Sequence, residues 1–258
     1  MSLRPWDQAS RSLIPAAVRR PELVALSREL PSVEQLFTFA RDAELRFETL
    51  RLQIEERVHG SRGEQRELTE VVVRHPGEAR VTTTDPDRGT RGNYRVWISD
   101  GATVRTFDGF SKVGTDRPVR RRVSGLDDND LPRTSMVYVP RTDLPKETLP
   151  ETFVHPAGFC QNVLATGDCR VAGTAQQNGR EILIVDSEHP RAVEVSADRP
   201  DHALQVWFDR ETGLITRLIE TIAGQVTRDA IATVVDPDAA LPPNAFLFGF
   251  PSDARMLY

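Results

Sequence analysis

The chain has 258 residues, 39% of them apolar and 28% charged, which supports a buried core and excludes general disorder. Its 33 basic residues are outnumbered by 38 acidic ones, for a net charge of −5, which argues against a nucleic-acid partner because such partners demand a basic face. The length suits one large β-rich domain, or a domain with an extension.

Residues 1–31 are punctuated by Pro5, Pro15, Pro21 and Pro31, so they read as an N-terminal extension with short helices, ahead of a domain over 32–258. Pro21 suits a first helical position, with Leu23, Leu26 and Leu30 at helical spacing behind it. Ser32 and Gln35 make a capping box before Val33, Leu36, Phe37, Ala40 and Ala43, which predicts a helix to about Ala43. The period then becomes two. Leu50, Leu52 and Ile54 alternate with Arg51, Gln53 and Glu55, the pattern of a strand with one wet face. His59 to Gly63 is turn-like, and Glu67 to His75 reads as a strand carrying Val71, Val72 and Val73, ended by Pro76-Gly77. Glu78 to Thr84 is a third strand, followed by a polar loop over 85–92.

Asp100-Gly101 separates two alternating runs, Asn93 to Ser99 and Ala102 to Phe107. An Asp-Gly pair so placed predicts a two-residue hairpin turn with both residues at positive φ. Residues 108–151 are irregular, with one short strand expected at Ser135 to Val139, and a helix fits from Pro156 to Ala165. Strands follow at Cys169 to Thr174 and Glu181 to Asp186, around the turn Gln177-Asn178-Gly179. His202 to Asp209 and Leu214 to Ile222 form a hairpin closed by Arg210-Glu211-Thr212-Gly213, and Gln225 to Val234 adds a strand across Gly224. Leu241-Pro242-Pro243 and then Phe246, Phe248 and Phe250 at period two close the chain. About ten strands in consecutive hairpins, with few helices, predict a mainly β (α+β) protein whose antiparallel sheet curls or closes.

No stretch approaches the ~20 apolar residues of a membrane-spanning helix. The apolar run Leu13 to Val18 lies between Arg11 and Arg19-Arg20 and is broken by Pro15. It is too short for a secretory signal, so the chain as written reads as cytoplasmic. Cys160 and Cys169 lack further ligands at metal-site spacing, and a disulfide and two buried thiols both remain open.

The hairpin Tyr94-Arg95-Val96-Trp97-Ile98-Ser99-Asp100-Gly101 resembles a hairpin of the LolA-like lipoprotein-carrier and RseB (MucB)-like superfamily. So do Val206-Trp207-Phe208-Asp209-Arg210-Glu211-Thr212-Gly213-Leu214, the close from Leu241-Pro242-Pro243 to Pro251, and the early helix ahead of a long first strand. The resemblance covers about residues 33–251. It implies a half-open β-barrel, a strongly curved antiparallel sheet with a few covering helices, enclosing an apolar cavity for acyl chains. It also implies a periplasmic or extracytoplasmic setting, and it carries no catalytic motif and no cofactor.

The chemistry-bearing residues have simpler explanations. The histidines are His59, His75, His155, His189 and His202, none at metal-binding spacing from another. Three precede proline and are expected to be extended. No Gly-x-Ser-x-Gly occurs. Cys160 follows His155 by five residues, the basis of a remote enzyme reading, but its apolar neighbours favour a neutral thiol. Asp127 to Asp130 lacks the spaced acids, central glycine and distal glutamate of a calcium loop. Arg117 to Arg122 is a basic cluster, read as a solvated loop or as a contact for an anionic lipid head group.

A curved sheet turns one face of each strand inward, and Leu52, Ile54, Tyr94, Val96, Ile98, Val104, Ile182, Ile184, Val206 and Phe208 are the candidates for lining it. A slip of register by one residue would turn any strand's set outward. The function expected from this lining is non-catalytic binding of a lipid or other apolar ligand, as in a LolA-like carrier. The alternative is an RseB-like regulatory module that binds a protein partner through residues 1–31.

Overall fold

The computed structural model describes residue 23 and residues 25–60, 63–88, 92–119, 140–190 and 201–257. The first helix is α1 (Val33–Arg41), and six strands follow it: β1 (Thr49–Gly60), β2 (Gly63–Arg74), β3 (Glu78–Thr84), β4 (Tyr94–Asp100), β5 (Thr103–Asp108) and β6 (Val113–Pro118). Two short helices, α2 (Leu149–Val154) and α3 (Pro156–Asn162), lead into β7 (Asp168–Gln177), β8 (Arg180–Glu188), β9 (His202–Asp209), β10 (Ile215–Ile222), β11 (Gln225–Pro237) and β12 (Arg255–Leu257). All twelve described strands belong to one curved, unclosed sheet in the order β12-β6-β5-β4-β3-β2-β1-β11-β10-β9-β8-β7.

This order records two meanders. The chain runs from β1 outward to β6, crosses with its helices to the far edge at β7, and returns strand by strand to β11, which pairs antiparallel with β1. Every neighbouring pair is antiparallel except β12 with β6, which is parallel.

Directly paired residues share a face of the sheet. On one face run Leu52, Val71, Val81, Trp97 and Thr106 across β1 to β5. The same face continues through Ala230, Leu218, Val206 and Val185 across β11 to β8. Leu36, Phe39, Phe153, Val154, Cys160 and Leu164 from the helical segments join most of these residues in one buried cluster, so this is the inner face.

The capping box forms as the sequence requires. Gln35 N–H donates to Ser32 Oγ at 3.2 Å, and Ser32 N–H donates to Gln35 Oε1 at 2.9 Å. The helix ends at Arg41, and Ala43–Leu45 tightens into a 3₁₀ turn. Replacing Ser32 with alanine is expected to cost about 1 kcal/mol, read as a lower denaturant midpoint, because it leaves a helix-end donor without its side-chain acceptor.

Several expectations are corrected. The described residues between Leu23 and Pro31 form no helix. Leu26 packs on the core, while the Arg210 guanidinium donates to the carbonyls of Ser27 and Glu29, and this tether holds the segment open. The Asp100-Gly101 turn is not a two-residue one. Ser99 pairs with Val104, and only Gly101, at φ 82°, is left-handed. The Asp100 carboxylate accepts from Ala102 N–H at 3.0 Å and Thr103 N–H at 2.7 Å, which stabilises a wider loop over 100–103. Asn178-Gly179 and Ala223-Gly224 are the two-residue turns with both positions at positive φ, 52° and 77°, then 50° and 73°.

Strand β6 reads as irregular in the sequence because Val113 is its only aliphatic residue, and α2 is too short to show a period. The expected strand at Ser135 to Val139 lies outside the described residues, as do Asp127 to Asp130 and Arg120 to Arg122. Phe246, Phe248 and Phe250 form no strand. They cross the outer face instead. Phe248 and Phe250 meet Phe107 at centroid distances of 6.0 and 6.3 Å, and Arg74 lies over Phe246 at 4.9 Å. Gly114 permits this crossing, since a Cβ there would stand 2.6 Å from the Phe250 ring.

Candidate functional site

The inner face is unevenly filled. Over β1 and β8–β11 it is closed by the helices, and Leu52, Ile54, Val206 and Phe208 are fully buried beneath them. Over β2–β6 the cover is the segment that opens α2, and a cleft of about 510 Å³ remains between it and the sheet. Val81, Trp97, Thr69, Thr83 and Thr106 line the sheet side, and Pro145, Leu149 and Pro150 the opposite wall.

Glu56, Glu67, Arg95, Asp108 and Arg228 also line the cleft, yet their charges are already matched. Arg95 pairs with Glu67 at 2.7 Å and Arg228 with Glu56 at 2.6 Å. Asp108 accepts from the Ser111 and Phe110 amides at 2.7 and 3.0 Å, and these bonds, Ser111's first, hold its carboxyl below the usual range. Thr69 and Thr83 hydroxyls bond each other at 3.1 Å, as do Thr106 and Thr115 at 2.7 Å. With the polar groups engaged among themselves, the surface left for a guest is the apolar strip of Val81, Trp97, Leu149 and the two prolines.

The ten lining candidates divide between the faces. Leu52, Ile54, Val206 and Phe208 lie on the inner face but inside the helix-covered core, and Val104, opposite Ser99, is half-buried on that face. Tyr94, Val96 and Ile98 lie on the outer face, where Val96 pairs with Phe107 beneath the C-terminal phenylalanines. Ile182 and Ile184 are also outward, paired with Asp209 and Trp207. Of the ten only Val96 borders the cleft. The phase of β4 explains the difference. Both of its faces are covered, so its apolar residues do not mark the inner one, and Trp97 and Arg95 face the cleft instead. Sequence reasoning misses Leu149 because it misses α2, although Thr148 with Glu151 three residues on is a helix-start signal: Glu151 N–H donates to Thr148 Oγ1 at 3.5 Å.

Cys160 and Cys169 are free thiols, the first buried and the second half-buried. Cys160 is 1% exposed and burial pushes its thiol far up; burial pushes Cys169 up to about 11. A neutral buried thiol is a poor nucleophile, and His155, pushed down to about 3 by burial, faces the Thr142 carbonyl and the Glu44 carboxylate. The His155–Cys160 pair therefore holds no activated nucleophile. His189, expected to be extended before Pro190, has φ 56°. Among the described residues no group of three or more His, Cys, Asp or Glu side chains is placed to hold a metal ion.

Neither protein-family models nor curated proteins yield a match to the sequence. Solved structures do. The chain is similar to an uncharacterized conserved protein of Thermus thermophilus, at 9% identity over 87% of this chain and 98% of that one, with a TM-score of 0.48. It is similar to MucB in the Pseudomonas aeruginosa MucA/MucB complex, at 16% identity over 84% of this chain and 61% of that one, with a TM-score of 0.47. A LolA superfamily protein of Nitrosomonas europaea matches at 11% identity over 84% of this chain and 98% of that one, with a TM-score of 0.34. These neighbours include the superfamily that the hairpins resemble. The chain spans less than two thirds of the MucB chain it matches. Among the described residues no helix is long and apolar enough to cross a membrane.

Proposed function

We propose that the protein is a non-catalytic binding protein that holds the apolar portion of a ligand in the cleft between β2–β6 and residues 145–150, as a LolA-like carrier would. The observation that supports this reading is Trp97, half-buried on the inner face, with its apolar neighbours Val81 and Leu149 around a cleft of about 510 Å³. That volume lies within the range of about 300–1,000 Å³ that small-molecule sites occupy. Each methylene buried there contributes about 0.8 kcal/mol, so ten supply roughly 8 kcal/mol, enough for micromolar retention without a polar anchor. Because the charged walls are internally paired, such binding is graded by chain length more than by head group.

Native mass spectrometry of gently purified protein is expected to show a co-purifying lipid or amphiphile, and the neutral probe N-phenyl-1-naphthylamine is expected to bind. Trp97→Ala should weaken that binding about tenfold or more, since losing a buried aromatic contact forfeits about 1.5–3 kcal/mol. Val206→Ala, in the filled half of the trough, should lower stability without changing the dissociation constant. A protein that carries no ligand and takes up no probe would remove this function.

A further inference from the structure

The wall of the cleft is fastened to the body by a buried polar cluster centred on Thr142, shortly before Pro145. Thr142 is 1% exposed, and its hydroxyl lies 2.8 Å from His75 Nδ1 and accepts from Gly77 N–H at 2.8 Å. Its carbonyl lies 2.9 Å from His155 Nε2. The neighbouring Arg141 N–H donates to both Glu44 carboxylate oxygens at 3.0 and 2.9 Å, and Glu44 in turn lies 3.3 Å from His155 Nδ1. His75 follows β2, His155 separates α2 from α3, and Glu44 sits in the turn after α1. Three parts of the body thus converge on residues 141–142.

Two of the fastening groups are histidines, 7% and 5% exposed. The charges facing them are Glu44 from the turn after α1, Arg141, and Lys146 at the start of the wall. Arg141 is itself held to Glu48 at 3.4 Å and Lys146 to Glu151 at 2.5 Å. The two cations oppose a charge on the imidazoles and Glu44 favours it, but burial dominates. It pushes His75 down to about 4, with Arg141 adding to the effect, and His155 down to about 3.

Resting on the cleft reading above, we propose that these two histidines make the cleft wall acid-labile: their protonation undocks residues 140–150 and releases the bound ligand. An imidazole that must stay neutral to be buried regains its ordinary affinity for a proton when the wall swings out. The docked state therefore binds fewer protons than the undocked one. Docking is unaffected above about pH 6.5, weakens as the pH falls below it, and stops weakening once the docked imidazoles also titrate. With its docked value near 4, His75 alone shifts the equilibrium toward the undocked wall by about 30-fold at pH 5.

The test combines hydrogen exchange with ligand binding on the full chain at pH 7.5, 6 and 5. After correction for intrinsic rates, the wall amide of Arg141, which donates to Glu44, and the Gly77 amide, which donates to Thr142, should open 10-fold or more at pH 5 relative to pH 7.5, a conservative reading of the ~30-fold shift. Those of Leu183 and Val206 should keep their protection. The dissociation constant of N-phenyl-1-naphthylamine should rise in parallel in the wild type and stay flat in a His75→Gln, His155→Gln double variant. Unchanged protection of the wall, or loss of protection equal in the wall and in β8 and β9, would overturn the proposal. Probe binding that is tight and independent of pH overturns the acid release and leaves the cleft reading intact. Absent binding at every pH overturns the cleft reading, and exchange in the wall then decides the acid lability alone. If the double variant does not fold, wild-type exchange still decides.

Discussion

Asp209→Ala is expected to lower stability by about 3–5 kcal/mol, a large share of what a single domain possesses. Asp209 is fully buried at the end of β9, opposite Ile182, and four donors converge on its Oδ1. The Thr212 N–H and hydroxyl donate at 2.7 Å each, Arg180 Nη2 at 3.0 Å, and Glu211 N–H at 3.1 Å. Oδ2 accepts from Arg180 Nε. The carboxylate therefore builds the turn that joins β9 to β10, and alanine leaves two amides and a hydroxyl without their acceptor and the partly buried Arg180 guanidinium with Glu211 as its remaining partner. Burial by itself pushes the Asp209 carboxyl up, but the bonds from Arg180 and Thr212 outweigh it and hold the group below the usual range. A carboxyl so depressed stabilises the fold above its unfolded value of about 3.9, and that contribution is lost as the pH falls through the folded value. Urea titrations at pH 7 and pH 3 should show the gap between wild type and Asp209→Asn narrowing in acid. An equal gap at both pH values would contradict this account.

Phe153→Ala should cost about 3–5 kcal/mol, the range for emptying a phenylalanine-sized volume in a core that cannot collapse around it. Phe153 is fully buried on α2 and belongs to the cluster that Leu52, Ile54, Val206 and Phe208 form under the helices. It is one of the side chains that fill the trough where the fold would otherwise have room for a guest. The denaturant midpoint should fall while the slope of the transition stays the same. Benzene should raise the midpoint of the variant and not that of the wild type, because a dry apolar cavity binds it. A loss below about 1 kcal/mol would mean that α2 is not packed as described.

Local pattern makes much of this protein legible. The boundaries of β3 and β9, the capping box of α1 and the Asn178-Gly179 turn depend on neighbours a few residues apart. Strand β6 is silent because Val113 is its only aliphatic residue and no alternation can show, and α2 because six residues span less than two helical turns. The cleft residues are harder to read for a related reason. Alternation in β4 gives two faces, Tyr94-Val96-Ile98 and Arg95-Trp97-Ser99, and says nothing about which one the C-terminal phenylalanines will cover. The apolar set lies under that cover, and the mixed set is left to line the cleft.

A run of antiparallel hairpins behind a capped helix follows from residue order alone, because turn chemistry and period-two burial act within a few residues. The pairing of β1 with β11, the plugging of particular inner-face residues and the meeting of His75 and His155 at Thr142 emerge in the folded chain. Those contacts join residues far apart in the chain. Their formation depends on how whole layers pack, and no local free-energy preference in the sequence encodes that in advance.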